Sequence, residues 1–164
     1  MHTLIIGMTE SGKTTLGKQL CDAYKARGRG TIVFDAAFNT WGADFQTGDP
    51  DKFFKYATRA RGCMLFIDEA GKAVKWNNRE AVDVATMFRH FGHSAHFLGQ
   101  RPTMIAPSVR YNCGRLCLFR VSREDAADLR AEWGHDEIMQ APTLPAGSFL
   151  DVSRFKTPVI RRVF

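Results

Sequence analysis

Short apolar runs alternate with amphipathic stretches along the chain. Thr3-Leu4-Ile5-Ile6 predicts an opening strand. Lys13 to Arg27 carries Leu16, Leu20, Ala23 and Tyr24 at helical spacing, and Gly28 and Gly30 stop it. Thr31 to Phe34 predicts a second strand. Ala36 to Gly48, rich in Gly, Asn and aromatic residues, predicts a loop. Asp49-Pro50-Asp51 then reads as a cap leading into a helix from Asp51 to Arg61. Cys63 to Ile67 is apolar almost without a break, the pattern of a parallel strand buried on both faces. Glu80 to Phe91 is periodic through Val84, Met87, Phe88 and Phe91, and Gly92 ends it. Ala95 to Leu98 predicts a fourth strand, Ala106 to Tyr111 a short helix, and Arg115 to Val121 a fifth strand. Ser122 is a good N-cap for a helix to Trp133, and Asp125 makes an acidic variant of the capping box. Two further strands are expected at Ser148 to Val152 and Val159 to Phe164.

This alternation predicts an α/β fold with a mostly parallel sheet flanked by helices and connected right-handedly. Ligands in such sheets sit at the carboxyl ends of the strands. The 164 residues show no repeat, linker or low-complexity stretch, so a single domain over 1–164 is expected. No apolar run approaches the length of a membrane-spanning helix, and no signal peptide is expected.

The first strand runs into Gly7-Met8-Thr9-Glu10-Ser11-Gly12-Lys13-Thr14, followed by Thr15. This is G-x-x-x-x-G-K-S/T between a strand and a helix, the context that turns the pattern into a phosphate-binding loop. The glycines let backbone N–H groups curl toward an anion, and the helix N-terminus faces the same phosphates. Residues 7–15 are therefore the expected contacts of a nucleoside triphosphate, taken as ATP. Lys13 would reach its terminal phosphates and the Thr14 hydroxyl would ligate Mg²⁺.

The third expected strand ends in Ile67-Asp68-Glu69-Ala70. Asp68, at the carboxyl end of an apolar strand, would hold Mg²⁺ through water opposite Thr14. Glu69 beside it can polarise a water for attack on the γ-phosphate, which points to hydrolysis and not to transfer. The fourth strand ends in Gln100-Arg101-Pro102, where Gln100 can both donate and accept beside the terminal phosphate.

Charge widens the picture. The net charge of +6 and pI near 9.4 suit a polyanionic partner such as nucleic acid. Gly71 to Arg79 holds Lys72, Lys75, Trp76, Asn77, Asn78 and Arg79 directly after the acidic strand end, a candidate for sequence-independent contacts to DNA phosphates. Arg154, Lys156, Arg161 and Arg162 form a second candidate. Cys21 and Cys63 read as small buried thiols, and Cys113 and Cys117 lack a second pair for zinc. Reduced cysteines in an intracellular compartment are expected. His90, His93 and His96 straddle Gly92 and read as helix-end and interface residues. Phe34, Phe38, Trp41 and Phe45 read as core or loop packing.

The order of these motifs resembles the FtsK–HerA superfamily of DNA-pumping ATPases. The resemblance rests on the loop of residues 7–14, on Phe66-Ile67-Asp68-Glu69-Ala70, and on Arg89-His90-Phe91-Gly92-His93 leading into Gln100-Arg101-Pro102. Asn112, Phe119, Val121 and Ser122 continue it, over residues 1 to about 150. Its compact form is similar to the viral genome-packaging ATPases. The resemblance implies a RecA-like core of the additional-strand, catalytic-glutamate type. It implies a homo-oligomeric ring, hexameric or pentameric, that pumps DNA regardless of sequence. It also implies a capsid portal or vertex partner, no direct membrane insertion, and a place in the virion or host cytoplasm. The Arg-x-x-Gly match puts an arginine acting in trans on Arg89. A second basic residue falls at or beside Arg123, with Glu124 at the strict position. The alternatives are a filamentous-phage-type, Zot-like assembly ATPase and a P-loop small-molecule kinase, the latter expected to carry an arginine-rich lid.

Overall fold

The computed structural model describes residues 1–69 and 85–164. Ala70, the basic segment 71–79 and the start of the helix expected from Glu80 lie outside the described residues. The strands are β1 (His2–Ile6), β2 (Thr31–Phe34), β3 (Phe45–Thr47), β4 (Met64–Ile67), β5 (Ser94–Gly99), β6 (Cys113–Leu118), β7 (Ser148–Ser153) and β8 (Lys156–Arg162). They form one sheet in the order β3-β2-β4-β5-β1-β6-β7-β8. The strands from β3 to β6 run parallel, and β7 and β8 add an antiparallel edge. One strand, β5, separates β1 from β4, which is the extra strand of the RecA-like class.

Helices cover both faces: α1 (Lys13–Ala26), α2 (Pro50–Arg59), α3 (helical over 85–90), α4 (Pro107–Asn112) and α5 (Arg123–Trp133). Successive side chains of a strand point to opposite faces. Leu4 and Ile6 of β1 therefore join the core under α2 and α5, with Phe53, Phe97, Leu129 and Trp133. Ile5 joins the other, under α1, with Leu16, Trp41, Phe66 and Leu98. Burying a side chain of this size is worth roughly 1.5–3 kcal/mol, so the sheet centre dominates stability. Among the described residues, no helix is long and apolar enough to cross a membrane.

The caps follow the sequence with one difference. Asp49 accepts hydrogen bonds from the N–H groups of Asp51 and Lys52 at the start of α2. Ser122 Oγ accepts from Asp125 N–H at 3.0 Å. The return half of that capping box is replaced: the Asp125 carboxylate is held by Arg101 instead. Three elements were not expected, among them a short 3₁₀ turn over Pro102–Met104. The three-residue β3 lies inside the polar loop, where Gln46 Oε1 accepts from Trp41 N–H and Thr47 O from Asp35 N–H. A 3₁₀ stretch, Asp136–Thr143, buries Ile138 and Ala141 and contains Pro142, which cannot continue an α-helix.

The cysteine and histidine readings need correction. Cys63 is only partly buried, because it sits at the outer end of β4. A register shift opposite His2 and Thr3 turns β6, so Cys113 enters one core and Cys117 the other. Burial pushes both thiols up to about 12. His93 and His96 are core residues, not helix-end or interface ones. His93 accepts from Cys63 N–H through Nδ1 and faces Ala57 O through Nε2, at 2.8 Å. His96 stacks on Phe66 with ring centroids 4.5 Å apart. Phe38 is 78 % exposed and belongs to neither core.

Burial lowers the His96 pKa from 6.5 to about 4. Below pH 6.5 the unfolded chain binds a proton there that the folded chain refuses until about pH 4, so stability falls as pH falls through that window. The contribution is on the order of 3 kcal/mol. His96→Phe is expected to flatten the pH dependence of the urea-unfolding free energy between pH 6.5 and pH 4. An unchanged slope in that variant would show that His96 is not the group responsible.

Candidate nucleotide site

The loop between β1 and α1 is held at three points. Gly7 N–H donates to Gly99 O at 3.2 Å, Met8 N–H to Arg120 O at 2.8 Å, and Gly147 N–H to Ser11 O at 3.0 Å. A Cβ on Gly7 would lie 2.5 Å from Phe119 Cβ, so no larger residue fits. Gly12 has φ 111° and Glu10 φ 61°, and this left-handed backbone curls the loop around a central space. The first-turn N–H groups of α1 have no intrahelical acceptor and point the same way.

Lys13, Thr14, Asp68, Glu69 and Gln100 line one cleft of about 140 Å³, with Thr9, Glu10 and Asn39. Lys13 Nζ donates to Met8 O at 2.7 Å. Burial lowers its pKa, opposed by the charges of Asp68 and Glu69. Thr14 Oγ1 donates to Asp68 Oδ2 at 3.0 Å. Asp68 Oδ1 accepts from Glu69 N–H at 2.9 Å. Burial raises the Asp68 pKa, partly offset by the Thr14 hydrogen bond. Glu69 has φ 50°, a strained position of the kind that clusters at active sites.

The donor set fits Mg²⁺ and a triphosphate. Thr14 and Asp68 place two hard oxygen donors side by side, which suits an ion that takes its other ligands from water and phosphate. Among the described residues, no three of His, Cys, Asp or Glu gather into a self-sufficient metal site. Lys13 and the α1 N-terminus supply the positive end for phosphate.

The other expected residues lie elsewhere. Gly7 and Ser11 are buried in the loop, and Thr15 is exposed on α1. Met8 borders a second hollow of about 480 Å³, shared with Gln100, Arg101 and Ser122. Arg89 is outside the cleft, at the opposite end of β5, and donates to Asn112 Oδ1 at 3.1 Å. Arg123 is exposed at the start of α5. Two contributors were missed. Asp35, buried at the end of β2, accepts from the N–H groups of Ala37 and Asn39 and from Trp41 Nε1. It thereby folds the loop that brings Asn39 to the cleft. The available signal was an Asp directly after an apolar strand, the same pattern that marks Asp68.

The fold and cleft define a P-loop NTPase architecture with the additional central strand. In particular, the chain superposes on the genome-packaging NTPase B204 of Sulfolobus turreted icosahedral virus 2, in complex with AMPPCP. The TM-score is 0.82 and the identity 19 %, covering 98 % of this chain and 96 % of that one. VirB4 of Thermoanaerobacter pseudethanolicus matches with TM-score 0.73 and 10 % identity, over 98 % and 88 % of the two chains. The conjugation coupling protein TcpA of pCW3 matches with TM-score 0.72 and 16 % identity, over 98 % and 59 %. At these identities the likeness is one of fold. No family model and no curated protein sequence matches the chain.

Proposed function

We propose that the chain is the ATPase domain of a DNA-translocating motor of the genome-packaging type, active as a homo-oligomeric ring. One observation carries the reading: Lys13, Thr14, Asp68, Glu69 and Gln100 come from three separate strand ends and line a single cleft. Lys13 would hold the terminal phosphates, and Thr14 and, through water, Asp68 would hold Mg²⁺. The ion, when bound, neutralises charge on the β- and γ-phosphate oxygens. Glu69 takes a proton from the attacking water. Gln100 orients that water or marks the presence of the γ-phosphate. In a small-molecule kinase Glu69 would have less to do. Arg89 acts at the cleft of a neighbouring copy.

The +6 charge supports a DNA partner held through its phosphates. The tail is a weaker contact than its charge suggests. Arg161 is paired with Asp151 at 2.7 Å, and the Arg154 guanidinium lies 4.5 Å from the centre of the Trp133 ring. A capsid portal or vertex would anchor the ring, in the virion or the host cytoplasm.

The test is ATP-driven displacement of a triplex-forming oligonucleotide from linear duplex DNA. Displacement is expected with Mg²⁺ and ATP whatever the sequence of the track, and it should weaken steeply with salt. ATP hydrolysis indifferent to DNA, with phosphorylation of a small acceptor, would contradict the proposal.

Arg101 clamps Asp125 through Nε and a terminal nitrogen, 3.1 Å and 3.0 Å away, and so ties the Gln100 strand end to α5. Arg101→Gln is expected to lower kcat about tenfold through misplacement of Gln100, with KM nearly unchanged. A change confined to KM would contradict that positioning role.

A further inference from the structure

Phe164 carries a ring on the phosphate-binding loop that the phosphate chemistry does not use. The segment after β8 is pinned on two sides. Val163 N–H donates to Gly147 O at 2.8 Å, and Gln19 of α1 donates to Val163 O at 3.3 Å. Gly147 is bonded in turn to Ser11 of the loop. One side of the Phe164 ring is covered by glycines. A Cβ on Gly147 would lie 2.6 Å from Phe164 Cε2, and one on Gly12 would lie 3.6 Å from Cε1. Gly147 also has φ 77°, so the bare floor under the ring is built into the backbone. The ring is otherwise open, at 68 % exposure.

The sheet gives a bound nucleotide its direction. Asp68, Glu69 and Gln100 stand at the ends of β4 and β5, on one side of β1. Gly147 directly precedes β7 and Phe164 follows β8, so both flank the β7–β8 hairpin on the other side. A triphosphate with its γ end at Glu69 and its chain along Gly12 and Lys13 leads its sugar and base away from β4 and β5. That path would cross the first turn of α1 toward Phe164, whose ring lies beside Gly12.

We propose that Phe164 is a stacking platform for the base of the bound nucleoside triphosphate; this rests on the nucleotide-binding reading above. A planar, uncharged ring binds any base by its face and favours the larger purines by overlap. Gly147 keeps the ring at the level of the loop because it adds nothing beneath it.

The experiment is calorimetric titration of the wild type, Phe164→Ala, Phe164→Leu and Phe164→Trp with Mg-ATP and with Mg-tripolyphosphate, which has phosphates and no base. Phe164→Ala and Phe164→Leu are expected to weaken ATP binding about tenfold and leave tripolyphosphate binding unchanged. Phe164→Trp is expected to restore ATP binding, with indole fluorescence quenched by ATP and not by tripolyphosphate. ATP affinity equal in all four proteins would overturn the stacking role and leave the phosphate site standing. Parallel loss of both ligands in Phe164→Ala, with Phe164→Leu intact, would assign the ring to loop packing and also overturn it. A wild type that binds neither ligand would instead overturn the nucleotide site itself.

Discussion

Glu69→Gln is expected to bind ATP almost as the wild type does and to hydrolyse it about 10²- to 10⁴-fold more slowly. The amide has the size and shape of the carboxylate but cannot take up a proton. The Asp68 carboxylate accepts from the backbone N–H of residue 69, so the substitution leaves the position of the side chain intact. The left-handed backbone at φ 50° is equally open to Glu and Gln. Lys13, Thr14 and Asp68, the proposed phosphate and metal ligands, are untouched. Equilibrium binding and single-turnover hydrolysis separate the two effects. Normal hydrolysis in this variant would move the base elsewhere and remove the argument against a kinase.

Arg89→Ala is expected to lose about 10³- to 10⁵-fold in turnover, with ATP binding retained. Arg89 lies in α3, and its partner Asn112 directly precedes β6, so the pair is at the end of the sheet opposite Gln100, which follows β5. At roughly 3.3 Å per residue, the six residues of β5 separate those two ends by on the order of 20 Å. An arginine side chain does not span that gap, so the proposed direct action on the γ-phosphate would be at the cleft of a second copy. Asn112 orients the guanidinium through Oδ1, and its own amide donates to Ser108 O at 2.8 Å. Arg89→Lys is expected to rescue little, because a lysine lacks the planar fork. Full activity in Arg89→Ala would remove the shared site.

The parts of the site legible in the sequence are those set by local chain chemistry. The curled backbone of Gly7 to Thr14 is announced by its glycines. Asp68 and Glu69 follow an apolar strand whose end is unmistakable. Asp49 and Ser122 cap helices through their own side chains. The parts that were not legible depend on distant partners. Three-residue β3 is too short to show a period, and it forms because β2 offers an edge. Asp125 looked like a capping residue and became the counter-ion of Arg101, far away in sequence. That Cys113 and Cys117 enter different cores depends on the register shift in β6 opposite His2 and Thr3, which no local pattern shows. Asp35 shows its role only once its four hydrogen bonds to the loop are in place.

The central claim is that each active site is built from two copies of the chain, and mixing two dead variants tests it most directly. Glu69→Gln keeps Arg89, and Arg89→Ala keeps Glu69. In a ring of head-to-tail contacts, a random equal mixture places an intact Glu69 beside a neighbour's intact Arg89 at about a quarter of the junctions. DNA-stimulated ATP hydrolysis should therefore reappear on mixing and rise with protein concentration. A mixture that assembles on DNA yet stays as inactive as either parent would contradict the shared site.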